Sequence, residues 1–148
     1  MHKQTLFGLV VILALIGLGS ASASAQATWT DPATRLMWTP YDNGKNVNLY
    51  QATEYCSNLK LGGYANWGVP TLAELKSLSG KVDDLEWMRN NKSPVHISNY
   101  LYWSKSAGDK PGEGAMFNFL VGGFEASERL DLFQDSGFPF RVLCVRRP

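Results

Sequence analysis

The sequence predicts an α+β fold of short antiparallel strands and two helices, and three observations carry that reading. Apolar residues recur at helical spacing in two stretches only, 48–60 and 71–80. Short aromatic-rich runs bounded by turn residues lie before and after those stretches. No internal repeat, low-complexity tract or linker divides the chain, so all of these elements belong to one domain.

Residues 1–25 stand outside that domain. Met1-His2-Lys3 is a short basic start, Leu6 to Leu18 is an apolar run, and Ala23-Ser24-Ala25 is a small-residue exit. That order predicts a secretory signal peptide cleaved before Gln26. The apolar run is shorter than the roughly 20 residues that a membrane span needs, so the mature form, 26–148, is expected to have no transmembrane anchor.

Thr28-Trp29-Thr30 and Leu36-Met37-Trp38 read as two strands of a hairpin. Asp31 and Pro32 between them suit the first two positions of a type I turn. Asn48 to Lys60 reads as a helix, with Leu49, Ala52, Cys56 and Leu59 on one face. Asn48 is its expected N-cap, Gln51 the capping-box partner, and Gly62-Gly63 the stop. A second helix is expected from Thr71, where Thr71-Leu72-Ala73-Glu74 is a capping box. Leu72, Leu75 and Leu78 form its buried stripe, and Gly80 is expected to end it.

Beyond Gly80, helical turns at 83–88 give way to a break at Asn90-Asn91-Lys92-Ser93-Pro94. Tyr100 to Trp103 reads as a strand and Lys105 to Gly114 as a loop, with a type II turn at Lys110-Pro111-Gly112-Glu113. Ala115 to Val121 is expected as a strand closed by a Gly122-Gly123 turn. Arg129 to Phe133 and Phe140 to Arg146 complete the antiparallel set.

Composition narrows the function classes. There are 14 Lys and Arg against 13 Asp and Glu, a formal net charge of +1. A general nucleic-acid binder needs a basic excess, so that partner is not expected. Low charge combined with 12% aromatic residues argues against disorder. Cys56 and Cys144 are the only cysteines. In the oxidising compartment that a signal peptide implies, an isolated pair reads most simply as a disulfide.

The ordered blocks Trp29-Thr30-Asp31, Leu36-Met37-Trp38, Tyr55-Cys56, Leu61-Gly62-Gly63, Asn66-Trp67-Gly68-Val69-Pro70-Thr71, Tyr102-Trp103-Ser104 and Cys144-Val145-Arg146 resemble the Lcl C-terminal domain family. The family is named for the C-terminal domain of the Legionella collagen-like adhesin, and the resemblance spans almost all of 26–148. It implies a C-type-lectin-like fold with paired termini and a disulfide from the first helix to the last strand. It also implies an extracytoplasmic domain, with glycan adhesion as the namesake's activity. The chain departs from the family pattern in three places. Arg35 stands where the family often has Gly in the first hairpin, a position that calls for a left-handed backbone. Asn66-Trp67-Gly68 stands where Asp-Trp-Arg is usual, and Leu143 where Arg usually precedes the final Cys.

Catalytic chemistry is not expected. His96 is the only His after residue 25, and nothing marks Ser93 or Ser98 as an activated nucleophile beside it. Asp83, Asp84 and Glu86 read as solvated charge rather than as a paired-acid site. The sugar-binding triplets of Ca²⁺-dependent lectins are absent, so neither a metal nor another cofactor is expected. Trp38, Trp67 and Trp103 read as core, and Trp87 as the aromatic most suited to exposure. Lys105 and Lys110 on the long loop, with Arg141, Arg146 and Arg147 at the C-terminal end, are the candidate ligand-binding residues, because guanidinium and ammonium groups grip sulfates and carboxylates. The resulting expectation is a secreted binding module, periplasmic, cell-surface or extracellular, that holds an acidic or neutral glycan. The alternative is a structural or protein-interaction subunit of a cell-envelope assembly, with an envelope protein as its partner.

Overall fold

A computed structural model describes residues 28–82, 94–107, 113–121, 124–129 and 140–148. Its elements are β1 (Trp29–Thr30), β2 (Met37–Trp38), α1 (Leu49–Asn58), α2 (Leu72–Val82), β3 (Leu101–Ala107), β4 (Glu113–Asn118), β5 (Phe124–Arg129), β6 (Phe140–Arg141) and β7 (Val145–Arg146). They form an α+β fold with two sheets, ordered β1-β2-β7 and β5-β4-β3-β6. The signal-peptide segment, Trp87, Lys110, the 83–88 turns, the Gly122-Gly123 turn and most of the strand expected at 129–133 lie outside the described residues.

The first hairpin closes through Asp31 N–H to Leu36 O at 2.9 Å and Arg35 N–H to Asp31 O at 2.7 Å. Asp31 also folds its own turn: Oδ1 accepts from Ala33 N–H at 3.0 Å and Oδ2 from the Thr34 hydroxyl at 2.9 Å. Arg35 takes φ 62°, the left-handed backbone expected at this position. β2 pairs antiparallel with β1 on one side and β7 on the other. Both ends of the described chain therefore share one sheet.

Both helices start where their caps predict. Asn48 Oδ1 accepts from Gln51 N–H at 2.8 Å, while Gln51 Oε1 accepts from Asn48 N–H at 3.0 Å. Thr71 and Glu74 make the same reciprocal pair at 2.8 and 3.2 Å. Their ends differ from expectation. α1 stops at Asn58, with Leu59 already extended. Gly62 and Gly63, with φ 62° and 79°, form instead a two-residue turn in which Leu61 and Tyr64 exchange backbone hydrogen bonds at 3.0 and 2.9 Å. α2 runs through Gly80 to Val82. One glycine costs a helix only about 1 kcal/mol against alanine, and the burial of Leu75 and Leu78 outweighs that.

The central pair β3–β4 sets Tyr102 opposite Phe117 and Trp103 opposite Met116. Tyr102 and Phe117 join Leu75 and Leu78 of α2 in one core cluster, together with Trp38, Val95, Leu143 and Val145. Trp103 and Met116 join Ala52 and Cys56 of α1 in a second, with Trp67, Phe140, Val142 and Cys144. The sheet is thus covered by a helix on each face, so Tyr102, Trp103 and Ser104 are all buried despite pointing alternately to its two sides.

Other strands are redrawn by tertiary pairing. Lys105 to Ala107 belong to β3, not to a loop, because a bulge there docks the strand on the start of α2. Lys105 N–H donates to Pro70 O at 2.8 Å, and Leu72 N–H to the Ser106 hydroxyl at 3.1 Å. The strand expected at 115–121 spans 113–118 and turns at Phe119. β5 has no strong strand signal, yet it pairs along all of β4 as an edge, where a charged sequence is suited.

The single strand expected at 140–146 is two. β6 runs parallel to β3, a correction to the all-antiparallel expectation, and β7 lies in the other sheet. Between them, Val142 exchanges hydrogen bonds with Asn43 and Cys144 with Thr39, which takes this stretch out of a common ladder. The disulfide joins Cys56 of α1 to Cys144, as expected, with S–S 2.04 Å and Cα–Cα 5.5 Å.

Candidate functional site

A concavity of about 540 Å³ lies along the outer face of α1. Its lining on the helix is Gln51, Glu54, Tyr55 and Asn58, spaced i, i+3, i+4 and i+7, opposite the buried Ala52 and Cys56. Lys45, Asn46 and Val47 wall one side, and Leu59 and Lys60 close the end.

Several anchors hold this face still. The disulfide and the capping box fix α1 from inside and at its start. Val47 N–H donates to Phe140 O at 2.9 Å, while Val47 O accepts the indole N–H of Trp103 at 2.6 Å. The segment before it is organised by Asp42, whose side chain is only 3% exposed. Asp42 accepts from Gly44 N–H at 2.8 Å, Ser98 N–H at 2.7 Å and the Tyr102 hydroxyl at 2.6 Å, and the Ser98 hydroxyl sits within 2.8 Å of both carboxylate oxygens. Gly44 needs its φ of 69° for that turn.

The groove's chemistry is polar over an apolar floor. Asn46 and Asn58 each offer donors and an acceptor, Lys45 and Lys60 offer cations, and Glu54 a carboxylate. Tyr55 is 37% exposed. Burial, and then the charge of Asp42, raise its phenol above the ordinary tyrosine value. It therefore stays a neutral hydrogen-bond donor across the physiological range. Tyr102, more deeply buried beside Asp42, is raised further for the same two reasons.

A second concavity of about 440 Å³ lies where the first hairpin meets β7, lined by Thr30, Asp31, Pro32, Arg35, Met37, Arg146 and Pro148. The Arg146 guanidinium lies over the Tyr64 ring, 4.4 Å from its centroid.

The structure separates the residues that the sequence nominates. Lys105 projects from β3 as an exposed side chain and lines neither concavity. Arg141 is half-buried, with Nη1 3.8 Å from Asp42. Arg147 is taken up by Glu74, donating through Nε at 2.7 Å and Nη2 at 2.6 Å. Of the described candidates, only Arg146 lines either of these two concavities. Trp38, Trp67 and Trp103 are core, as expected. His96 is half-buried and stacks on the exposed ring of Tyr41, with centroids 4.9 Å apart.

The α1 groove went unnoticed in the sequence, although Gln51, Glu54, Tyr55 and Asn58 carry a readable signal: a polar stripe at helical spacing that includes an aromatic. Lys45 and Lys60 carry none, because only folding brings them to the ends of that stripe. Among the described residues, no cluster of three or more His, Cys, Asp or Glu is arranged to hold a metal ion. Likewise, no described helix is long and apolar enough to cross a membrane.

Compared with known proteins, residues 27–146 match the sequence model of the family described as Lcl C-terminal domain. No curated protein matches the chain.

Proposed function

The chain belongs to the Lcl C-terminal domain family, and from that premise we propose that it is an extracytoplasmic binding module without catalytic chemistry, whose α1 groove holds a glycan. The observation that carries the reading is the groove's composition on a rigid frame: a partly exposed tyrosine ring, three amides, two ammoniums and a carboxylate over Val47 and Leu59. A sugar ring presents an apolar face and a rim of hydroxyls, and such a surface meets both. The buried disulfide supports an oxidising compartment. The second reading, a protein-interaction subunit of an envelope assembly, is favoured by Leu120 and Val121, adjacent apolar residues 50% and 64% exposed.

A glycan array on the exported protein tests the proposal, followed by titration of the best hit against Tyr55→Ala. Loss of roughly tenfold or more in affinity with an unchanged melting temperature is the expected result. A hit insensitive to Tyr55→Ala but lost on replacing Lys105 and Lys110 moves the site to the β3–β4 connection. Absence of any hit overturns the glycan reading and leaves the interaction subunit.

A further inference from the structure

We propose that Arg35 and Arg146 form an oxyanion-binding cleft at the junction of the first hairpin and the last strand, a site separate from the α1 groove and independent of the glycan reading. The described arginine side chains divide into two kinds. Arg141 and Arg147 face internal carboxylates, Asp42 and Glu74. Among the described residues, the guanidiniums of Arg35 and Arg146 have no ion pair or hydrogen bond, and both line the same 440 Å³ concavity.

Each has a feature that internal structure does not use. The Arg146 guanidinium carbon lies over the Tyr64 ring, 4.4 Å from its centroid. A cation–π contact is electrostatic and consumes no N–H hydrogen bond, so the guanidinium donors remain for a carboxylate or sulfate oxygen pair. The ring thus orients Arg146 without consuming a donor. Arg35 sits at φ 62°, a backbone that favours glycine, on an exposed turn where glycine would fit. An unfavourable backbone held by a residue whose side chain makes no internal polar contact points to an external one.

The one acid in the lining, Asp31, is fully buried and turned inward, its oxygens receiving Ala33 N–H and the Thr34 hydroxyl. The surface presented to a ligand is therefore cationic, with Met37 and two prolines as walls. The chemistry recognised is a small oxyanion with two or more oxygens, whether a carboxylate or a tetrahedral sulfate or phosphate group.

The test follows the arginine Nε–Hε signals of the full exported protein by NMR during titration with sodium sulfate, sodium phosphate or sodium acetate, each against sodium chloride at matched ionic strength. Arg35 and Arg146 are expected to move together and saturate with one dissociation constant, while Arg141 and Arg147 stay. Saturation by acetate alone assigns a carboxylate, and by sulfate or phosphate a tetrahedral group. Arg35→Gln, at an exposed turn that leaves the fold intact, is expected to raise that constant roughly tenfold. Arg146→Lys, which keeps the charge but loses the planar fork, is expected to raise it less. Shifts no different from chloride in every titration, or an affinity unchanged by Arg35→Gln, would overturn the cleft.

Discussion

Replacing Arg35 with glycine should make the domain more stable while weakening its grip on anions. The structure supplies each contribution. Arg35 has φ 62°, and an L-residue in the left-handed region costs about 1–2 kcal/mol. Its fixed contact is made by the backbone, N–H to Asp31 O at 2.7 Å, and glycine keeps it. The side chain is exposed and makes no internal ion pair, so removing it costs the fold little. Against the relief stands the extra freedom of an unfolded glycine, about 0.4–1 kcal/mol. The net gain is therefore about 0–1.6 kcal/mol with its midpoint just below about 1 kcal/mol, a rise of roughly 2–4 °C in Tm at that midpoint for a domain of this size. Thermal melts of wild type, Arg35→Gly and Arg35→Ala read it directly. The alanine variant retains the backbone angle and loses the side chain, so it should melt within about 1 °C of wild type if that angle is the whole effect. A lower midpoint for glycine, or a clear drop for alanine, refutes the reasoning, because the guanidinium would then be holding the hairpin.

Three further perturbations have definite signs. Replacing Cys56 and Cys144 together by alanine releases a cross-link of sequence separation 88, and the chain-entropy relation gives a loss of about 4–5 kcal/mol; urea unfolding measures it, and a loss under about 1 kcal/mol would contradict it. Asp42→Asn replaces one carboxylate oxygen by an amide nitrogen, which then faces either Gly44 N–H or the Ser98 N–H and Tyr102 hydroxyl, and should cost about 2–3 kcal/mol in the same assay; an unchanged midpoint would show that Asp42 does not organise the segment beside α1. Burial raises the Glu74 carboxyl, but hydrogen bonds from Arg147 and Thr71 and the Arg147 charge outweigh it, leaving the pKa below the ordinary value. That stabilisation is present above the unfolded carboxylate pKa and is lost as pH falls through the lower folded one, so Glu74→Gln should cost about 1 kcal/mol at neutral pH and progressively less toward acid. A penalty constant with pH would assign it to the cap geometry alone.

Local chemistry was legible residue by residue. Beside the left-handed Arg35 position, which the family resemblance implied, both capping boxes, the apolar stripes of α1 and α2 and the disulfide could be read from the chain. Each depends on contacts within a few residues or on only two cysteines being present. Burial of Trp38, Trp67 and Trp103 was legible as well. Of the binding candidates, Arg147 and Arg141 looked available in sequence but face Glu74 and Asp42, residues 73 and 99 positions away. Nothing in a linear reading tells an arginine with an internal partner from one without.

The sequence alone thus determined which segments become helices, where those helices begin, and which cysteines are joined. It determined these because capping, 3.6-residue periodicity and a lone cysteine pair are properties of neighbours or of counts. The tertiary structure alone decided strand membership at both ends of β3, in β5 and across 140–146, since a strand exists only where another offers its backbone. It also decided that Gly62 and Gly63 make a turn between Leu61 and Tyr64 instead of a cap, and that α2 outlasts Gly80 because Leu75 and Leu78 are buried against the sheet. Both candidate sites belong to this second class. The α1 groove needs Lys45 and Lys60 brought to one helix face, and the arginine cleft needs β7 laid against β2 so that Arg146, paired opposite Met37, comes beside the turn that carries Arg35.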